Sequence, residues 1–339
     1  MKRKPSIKDV AKASGVSSAT VSNVFSGKKH VNEDLKLRVK QVAAELGYFL
    51  DKSASKLKSG KTNVIGVLVP SLSDTFFSTM VSEIERHAIE MGFDIVVMST
   101  HGRADVETSR LSTLLSWNPE GVIVVPTNGS VPDIMQSPSY CVPTVLVDRI
   151  SSKETQFDTV TINNFDIGFA AGKHLADAGH RQVLIVASNR SFPPIDERLS
   201  GVVEAIESRG GSATILSISD SIESELVTKH LKQIEYSVSG VVALNYTTTL
   251  ACLNSFSEQS LVPGEDISFI AFDDDTWMSA RINGLSAVKQ PVMSMASVAW
   301  ERLIQRIKGG DPLPCAATVL KAELVKRNSV VTQNTLRTA

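Results

Sequence analysis

The sequence predicts a small all-α helix-turn-helix domain, followed by a larger α/β body of two similar lobes with parallel sheets. Three observations support this prediction. The first 62 residues are basic and place apolar residues at helical spacing on both sides of Gly15. After them, short Val, Ile and Leu runs alternate with amphipathic segments, which is typical of parallel sheets covered by helices. This series begins a second time near residue 162, so we expect two lobes.

Charge is distributed unevenly along the chain. The first 62 of its 339 residues, here called the head, carry 14 Lys and Arg but only five Asp and Glu, a net charge of +9. The remaining residues, here called the body, carry 21 basic and 31 acidic side chains, a net charge of −10. This division indicates that the head binds a polyanion and that the body does not.

The composition also indicates a compartment. No apolar run reaches the roughly 18 residues that a membrane span requires, and the basic start MKRKPSIKDV lacks the apolar segment of a signal peptide. Three cysteines stand far apart without the spacing of a redox or metal motif. We therefore expect a cytoplasmic protein with reduced thiols and no membrane partner.

Two short helices are predicted in the stretch IKDVAKASGVSSATVSNVFSG, which follows Ser6. Ser6 is a suitable cap for the first helix, and Gly15 tolerates the left-handed conformation of a sharp turn. The second helix opens at Ser17 and turns Val21 and Val24 inward, because they lie three residues apart. A third helix is expected after Asn32, with the buried stripe Leu35, Val39, Val42 and Leu46. The helix-turn-helix domain should span residues 1–50.

The outward face of the second helix carries small polar residues, which suit contact with base edges in a DNA major groove. Ser18, Ala19 and Asn23 are the expected base contacts, since Asn pairs bidentately with adenine and Ala touches a thymine methyl group. Further hydroxyls complete the predicted DNA-binding set: Thr20, Ser22 and Ser26 as phosphate contacts, with Ser6 and Ser17 at the helix starts. A helical bundle that binds another protein is the alternative, and the basic charge disfavours it.

Together with VNEDLKLRVKQVAAELGY, this stretch resembles the DNA-binding head of the lactose-repressor (LacI/GalR) family of bacterial transcription regulators. One departure is Ser26, where that family usually has Asn. The resemblance implies a repressor that binds a palindromic double-stranded DNA operator as a homodimer. It also implies that a small-molecule effector controls this binding.

The segment DKSASKLKSGKT, residues 51–62, joins the head to the rest of the chain. Its Ser and Lys content is that of a flexible linker. The family resemblance implies a hinge helix here, with Leu57 wedged into the minor groove and Lys56 and Lys58 beside the phosphates.

The body, residues 63–339, resembles the effector-binding core of the same family, which is related in fold to periplasmic sugar-binding proteins. Its landmarks include VIGVLVP, VDR, ERLSG and VKQP. The resemblance implies a lobe near the head, residues 63–161 with 291–322. It also implies a distal lobe, residues 162–290 with 323–332.

Polar side chains follow several of the predicted strands, where ligands of parallel sheets bind. Carboxylates, an amide and guanidinium groups suit a ligand rich in hydroxyls, and an aromatic ring suits the apolar face of a sugar. The predicted effector-binding residues are Phe77, Asp148, Arg149, Arg198, Asn245 and Asp273. The expected effector is a sugar, a sugar acid or a sugar phosphate.

Three positions in this region depart from the family pattern, and one of them is Ser221, where the family can have an aromatic residue that stacks on the ligand. Asp74-Thr75 stands where the family usually has Asn-Pro before the paired phenylalanines, and Tyr246 follows Asn245 where it usually has an acid. These differences leave the identity of the effector open.

Motifs of common enzymes are missing from the sequence, which contains no G-x-S-x-G, no HExxH and no GxGxxG after a strand. The consecutive residues Asp273, Asp274 and Asp275 cannot all face one ion. We therefore expect no catalytic residue, no metal and no cofactor. A soluble sugar-binding receptor is the alternative function, and it does not explain the basic head.

The charge of the head leads to a first prediction. DNA binding should weaken steeply with salt, by about 0.9 log units of affinity per log unit of salt for each phosphate neutralised. Fluorescence anisotropy with a labelled duplex measures this slope, and a flat response would show that the head's charge does not supply the affinity.

Overall fold

The computed structural model of this protein describes residues 3, 5–26, 31–49, 62–151, 153, 156–219, 221–234, 237–281, 283–309 and 314–336. The chain divides into two compact units, residues 1–62 and 63–339, which match the head and the body. Each unit is described by itself.

The described residues of the head form three helices: α1 Ile7–Ser14, α2 Ser18–Ser26 and α3 Glu33–Leu46. The Asp9 carboxylate fixes the start of α1, because it accepts from the backbone N–H and the hydroxyl of Ser6, both at 2.7 Å. These hydrogen bonds lower the pKa of Asp9 to about 2. Gly15 ends the helix with a left-handed φ of 66°, as the turn requires.

A small valine-rich cluster forms the core of the head, and its buried members are Val10, Ala11, Val21, Val24, Val39 and Ala43. The inward orientation of Val21 and Val24 agrees with the spacing of the sequence. The predicted stripe of α3 is wrong at Leu46, which is 41% exposed. Ala43 and Tyr48 close that end of the core instead. Residues 44–46, at the end of α3, are therefore exposed.

Two six-stranded sheets form the body. The first-lobe sheet has the order β11-β5-β4-β3-β1-β2 and is parallel throughout its described pairs. Its strands are β1 Val64–Val69, β2 Asp94–Ser99, β3 Gly121–Val124, β4 Thr144–Val147, β5 Asp158–Ile162 and β11 Ala317–Leu320.

The second-lobe sheet has the order β12-β10-β9-β8-β6-β7, and β12 pairs antiparallel with β10. Its strands are β6 Gln182–Ala187, β7 Ser212–Ser217, β8 Gly240–Ala243, β9 Ser268–Phe272, β10 Ser286–Lys289 and β12 Glu323–Val325. The predicted two-lobed α/β fold with parallel sheets is therefore confirmed.

Helices cover both sheets: α4 Thr75–Met91, α5 Ala104–Ser116, α6 Asn164–Asp177, α7 Pro193–Glu207, α8 Ser224–Gln233, α9 Tyr246–Glu258, α10 Thr276–Ala280 and α11 Val292–Lys308. The chain passes between the lobes after β5, after β10 and after β11. Within the described residues, no helix is both long and apolar enough to cross a membrane.

The backbones of α6 and α7 approach each other closely at Gly168, Gly172 and Gly201. A Cβ atom on Gly201 of α7 would clash with the carbonyl oxygen of Phe165, and one on Gly168 of α6 would clash with the carbonyl oxygen of Arg198. Only glycine allows this approach, which places Arg198 beside the start of α6.

Gly201→Ala should therefore destabilise the body. Overpacking costs about 1–3 kcal/mol, and the higher helix propensity of Ala returns only about 1 kcal/mol. Urea unfolding measures the loss, and Ser200→Ala, at an exposed neighbouring position of α7, is the matched control. Equal stability of the two variants would contradict the close-packing argument.

Candidate functional site

The outward face of α2 presents the residues predicted to contact bases. Ala19 is exposed, and Ser18 and Asn23 are half-buried. Val21 and Val24, on the opposite face, lie in the core of the head. The helix therefore turns a face of small polar side chains outward.

Hydroxyl side chains fix the start of the same helix. The Ser17 hydroxyl accepts a hydrogen bond from the Thr20 backbone N–H at 3.0 Å and lies 2.9 Å from the Thr20 hydroxyl. Ser22 is exposed, and Ser6 is held by Asp9. The side chain of Ser26 and the predicted wedge residues Lys56, Leu57 and Lys58 lie outside the described residues.

A cavity of about 40 Å³ lies between the two lobes of the body, next to a larger one of about 350 Å³ that shares Phe76, Asp273 and Gln290 with it. All six predicted effector-binding residues line the smaller cavity, together with Asp74, Phe76, Phe192, Pro194, Ile195, Tyr246, Thr247 and Gln290. The first lobe contributes residues that follow β1 and β4. The second lobe contributes residues from the starts of α7 and α9 and from the ends of β9 and β10.

Two aspartates occupy equivalent places in the two lobes. Asp148 follows β4 and Asp273 follows β9, and each of these strands is third in the order of its sheet. Both have left-handed backbones, with φ of 62° and 64°. Asp tolerates this conformation better than most residues, and such backbones cluster at functional sites.

Arg198 is the buried cation of the cavity, only 3% exposed. Its guanidinium donates to Asn164 Oδ1 at 2.8 Å, to the Leu244 carbonyl at 3.0 Å and to Gln290 Oε1 at 3.2 Å. It also lies over the ring of Phe272, with 4.1 Å between its Cζ atom and the ring centroid. These contacts fix Arg198 from four elements of the second lobe.

Arg149 lies between two aromatic rings that come from different lobes. Its Cζ atom is 5.6 Å from the ring centroid of Phe77 and 4.4 Å from that of Phe192. These distances are within the range of cation–π attraction. Phe77 is therefore placed against a cation in this closed cavity.

Asn245 has a structural function as well as a place in the cavity wall. Its side-chain oxygen accepts from the Thr248 N–H at 2.9 Å and caps α9, while its amide nitrogen donates to Ser188 at 2.8 Å. Both polar atoms of the Asn245 side chain therefore already have a hydrogen-bond partner within the protein.

Burial dominates the electrostatics of the site. It raises the pKa values of Asp148 and Asp273, and the nearby Arg198 guanidinium opposes this effect. Burial lowers the pKa of Arg198, while the two carboxylates stabilise its charge. Burial and the Asp273 carboxylate together raise the pKa of Asp74 to about 7. The cavity therefore holds charges of both signs with little water between them.

The predicted binding set lacked Asp74, Phe192 and Gln290, which also line the cavity. Gln290 donates to Asp273 Oδ1 at 2.5 Å and accepts from Arg198, so it connects two predicted residues. Features of the sequence could have identified two of these residues, because Gln290 lies in the VKQP landmark and Asp74 departs from the family pattern. Phe192 carried no signal in the sequence.

Comparison with known proteins gives consistent matches along the chain. Residues 6–50 match the family described as "Bacterial regulatory proteins, lacI family". Residues 62–309 match "Periplasmic binding proteins and sugar binding domain of LacI family".

Relatives and solved structures agree with these matches. The transcriptional regulator PtxS of Pseudomonas plecoglossicida is 30% identical over 341 residues, covering 97% of this chain and 96% of PtxS. The Lac repressor dimer bound to operator and the anti-inducer ONPF has the same fold, with a TM-score of 0.81 at 23% identity and coverage of 97% and 100%. The regulator CelR in complex with cellobiose gives a TM-score of 0.71 at 25% identity and coverage of 96% and 99%. The chain therefore belongs to the LacI family of bacterial transcriptional regulators.

Proposed function

We propose that this regulator is a repressor that binds a palindromic operator as a homodimer and is controlled by a sugar or a sugar acid held between its lobes. The observation that carries the proposal is the cavity lined by Arg149, Arg198, Asp148 and Asp273. Its charged groups provide both donors and acceptors, which a ligand with many hydroxyls needs.

Aromatic side chains support the same ligand class. Phe77 and Phe192 line the cavity beside the charged groups, and this combination of aromatic and charged side chains suits the two chemical faces of a sugar ring. The related CelR structure contains cellobiose. Two guanidinium groups in one cavity also accommodate the carboxylate of a sugar acid.

A dimer follows from the operator geometry that we propose. Two symmetric heads match two half-sites, and the symmetry of the protein then matches that of the DNA. We assign residues 1–50 to DNA binding, 51–62 to the hinge with Leu57 as its wedge, and 63–339 to effector binding and dimerisation. An effector regulates this complex only if it binds the operator-competent and incompetent states with different affinity. We place the protein in the cytoplasm, where its operator would lie.

Asn23→Ala tests the base contacts of α2. Loss of a bidentate contact with adenine costs about 1–3 kcal/mol of discrimination, so affinity for the preferred site should fall roughly ten- to hundredfold. Binding to random duplexes should change little, since it depends on phosphates. The preferred DNA sequence is first selected from a random duplex library. Its labelled duplex is then titrated with each protein, and binding is measured by fluorescence anisotropy. An equal loss on both DNAs would show that Asn23 does not read sequence.

Asp148→Asn tests the effector pocket. Asn tolerates the left-handed backbone at this position, so the fold should be retained. A screen of sugars, sugar acids and sugar phosphates by thermal shift first identifies the effector. The variant should then lose roughly tenfold or more in effector affinity, because a bidentate acceptor of hydroxyl protons has been removed.

The control for this prediction is Asp133→Asn, at an exposed position of the first lobe. Operator binding by both variants should stay within a few-fold of the parent. If Asp148→Asn lost operator binding while its melting temperature was unchanged, the assignment of Asp148 to the effector pocket would be wrong.

A further inference from the structure

Three carboxylates face one small cavity in the body. Asp74 precedes α4, Asp148 follows β4 and Asp273 follows β9, and the space between the side chains of this cavity is about 40 Å³. Asp74 and Asp148 belong to the first lobe and Asp273 belongs to the second. The carboxylates of Asp273 and Asp148 act electrostatically on Asp74, because charges at a partly desolvated site are screened less than charges in water.

Backbone contacts hold two of these carboxylates in place. Asp74 Oδ1 accepts from the Phe76 N–H at 2.9 Å and caps α4, so the side chain cannot turn away without losing that cap. Asp273 Oδ2 accepts from the Tyr246 N–H at 3.1 Å, and its Oδ1 accepts from Gln290. The carboxylates therefore cannot move apart while the lobes stay together.

Among the described residues that line the cavity, two are cations, Arg149 and Arg198. The Arg198 guanidinium donates to three neutral oxygens, and Arg149 lies between the rings of Phe77 and Phe192. Three ionised carboxylates would exceed this positive charge by one. A buried excess charge is costly, and uptake of a proton removes it.

The lobes are in contact at the rim of this cavity. Gly129, in the loop after β3 of the first lobe, meets residues 191–193 of the second lobe. A Cβ atom added there would lie 2.7 Å from Pro193 Cδ and 3.1 Å from the Ser191 carbonyl oxygen. The lobes therefore touch at this rim, and their separation would bring more water to Asp74 and Asp273, which are half-buried here.

We propose that Asp74 couples closure of the cleft to the uptake of one proton, so that an effector held in the closed cleft binds together with that proton. The binding of an effector together with the proton rests on the function proposed above. The coupling of closure to proton uptake rests on the charged groups of the cavity and on the contact between the lobes.

The sign of the coupling follows from the burial of Asp74. Burial, with the Asp273 carboxylate as the second cause, raises its pKa to about 7, while the Phe76 N–H and Arg149 act in the opposite direction. Asp148 also adds to the rise, and the phenol of Tyr246 faces the same cluster. The closed form thus holds its proton more tightly than an open, hydrated form. Closure should become less favourable as pH rises through about 7.

Asp74→Asn removes the titration and keeps the structure. Asn is also a good helix cap, and it is the residue that the family usually has at this position. The folded parent binds more protons than the unfolded chain between the ordinary pKa of Asp and about 7, so its stability should fall with rising pH. Melting temperatures of the full chain are measured from about pH 5.5 to about pH 8.5.

Across this pH range the melting temperature of the unsubstituted protein should fall by several degrees relative to that of Asp74→Asn. In a protein of this size, several degrees correspond to about 1 kcal/mol or more of stability. Asp133→Asn, which removes an exposed carboxylate instead, should follow the parent. A difference between the parent and Asp74→Asn that does not change with pH would overturn the proposal.

A second measurement follows the lobes directly. Spin labels attached through Ser130→Cys and Arg190→Cys, at exposed positions on opposite sides of the rim, report their separation by pulsed electron paramagnetic resonance. The exposed Cys141 and Cys315 are replaced by Ser beforehand. The distance should increase between about pH 6 and about pH 8.5 in the parent and stay short in Asp74→Asn.

An identical pH response in the two proteins, or no response in either, would overturn the coupling of closure to Asp74. Both measurements are made without an effector. A sugar screen that finds no ligand would therefore count against the proposed function and leave the result on Asp74 unaffected.

Discussion

Burial of the Arg198 guanidinium is the constraint on which the ligand pocket depends. A cation away from water must have its donors satisfied, and removing its partners leaves an uncompensated charge. Three acceptors from α6, the end of β8 and the end of β10 meet this requirement. The close approach of α6 and α7 at Gly168 and Gly201 brings Arg198 to them. The same packing therefore determines both the stability of the second lobe and the shape of the pocket.

The two lobes share one structural feature at equivalent places. Each positions an aspartate with a left-handed backbone directly after the third strand of its sheet. The carboxyl ends of parallel strands meet at one edge, so the two sheets present these aspartates to a shared cleft. Three short passages of the chain connect the lobes, which is the connectivity of a hinge. Groups in the pocket can therefore change their hydration when the lobes move.

The division of charge separates two kinds of recognition. The head carries a net positive charge and turns small polar side chains outward, so its attraction to DNA acts at long range and depends on salt. The pocket instead balances buried charges at short range, where desolvation decides which groups are ionised. Salt should weaken DNA binding by the head strongly and ligand binding in the pocket only slightly, because salt screens buried charges poorly.

The sequence by itself determined the helix-turn-helix head, the alternating strands and helices of the body, and six of the residues that line the cavity between the lobes. The secondary structure follows from local spacing, and the site residues after strands follow from the rule that polar residues after parallel strands meet at one edge. Phe77 and Arg198 lie on helices, so their prediction rested on their chemistry and on the family resemblance. The sequence did not predict β5, because the DTVTI segment contains no continuous apolar run, although all five of its residues are buried. It also placed Leu46 in the core, since helical spacing does not show where a small core ends.

Only the tertiary structure decided that Asn245 is partly used as a helix cap and that Phe192 faces Arg149. The same holds for the environment of Asp74. Its sequence position marked it as a departure from the family pattern, but its ionisation depends on Asp273, about two hundred residues away in the chain. Burial and charge at a site are set by groups that folding brings together, and no local pattern of residues contains them.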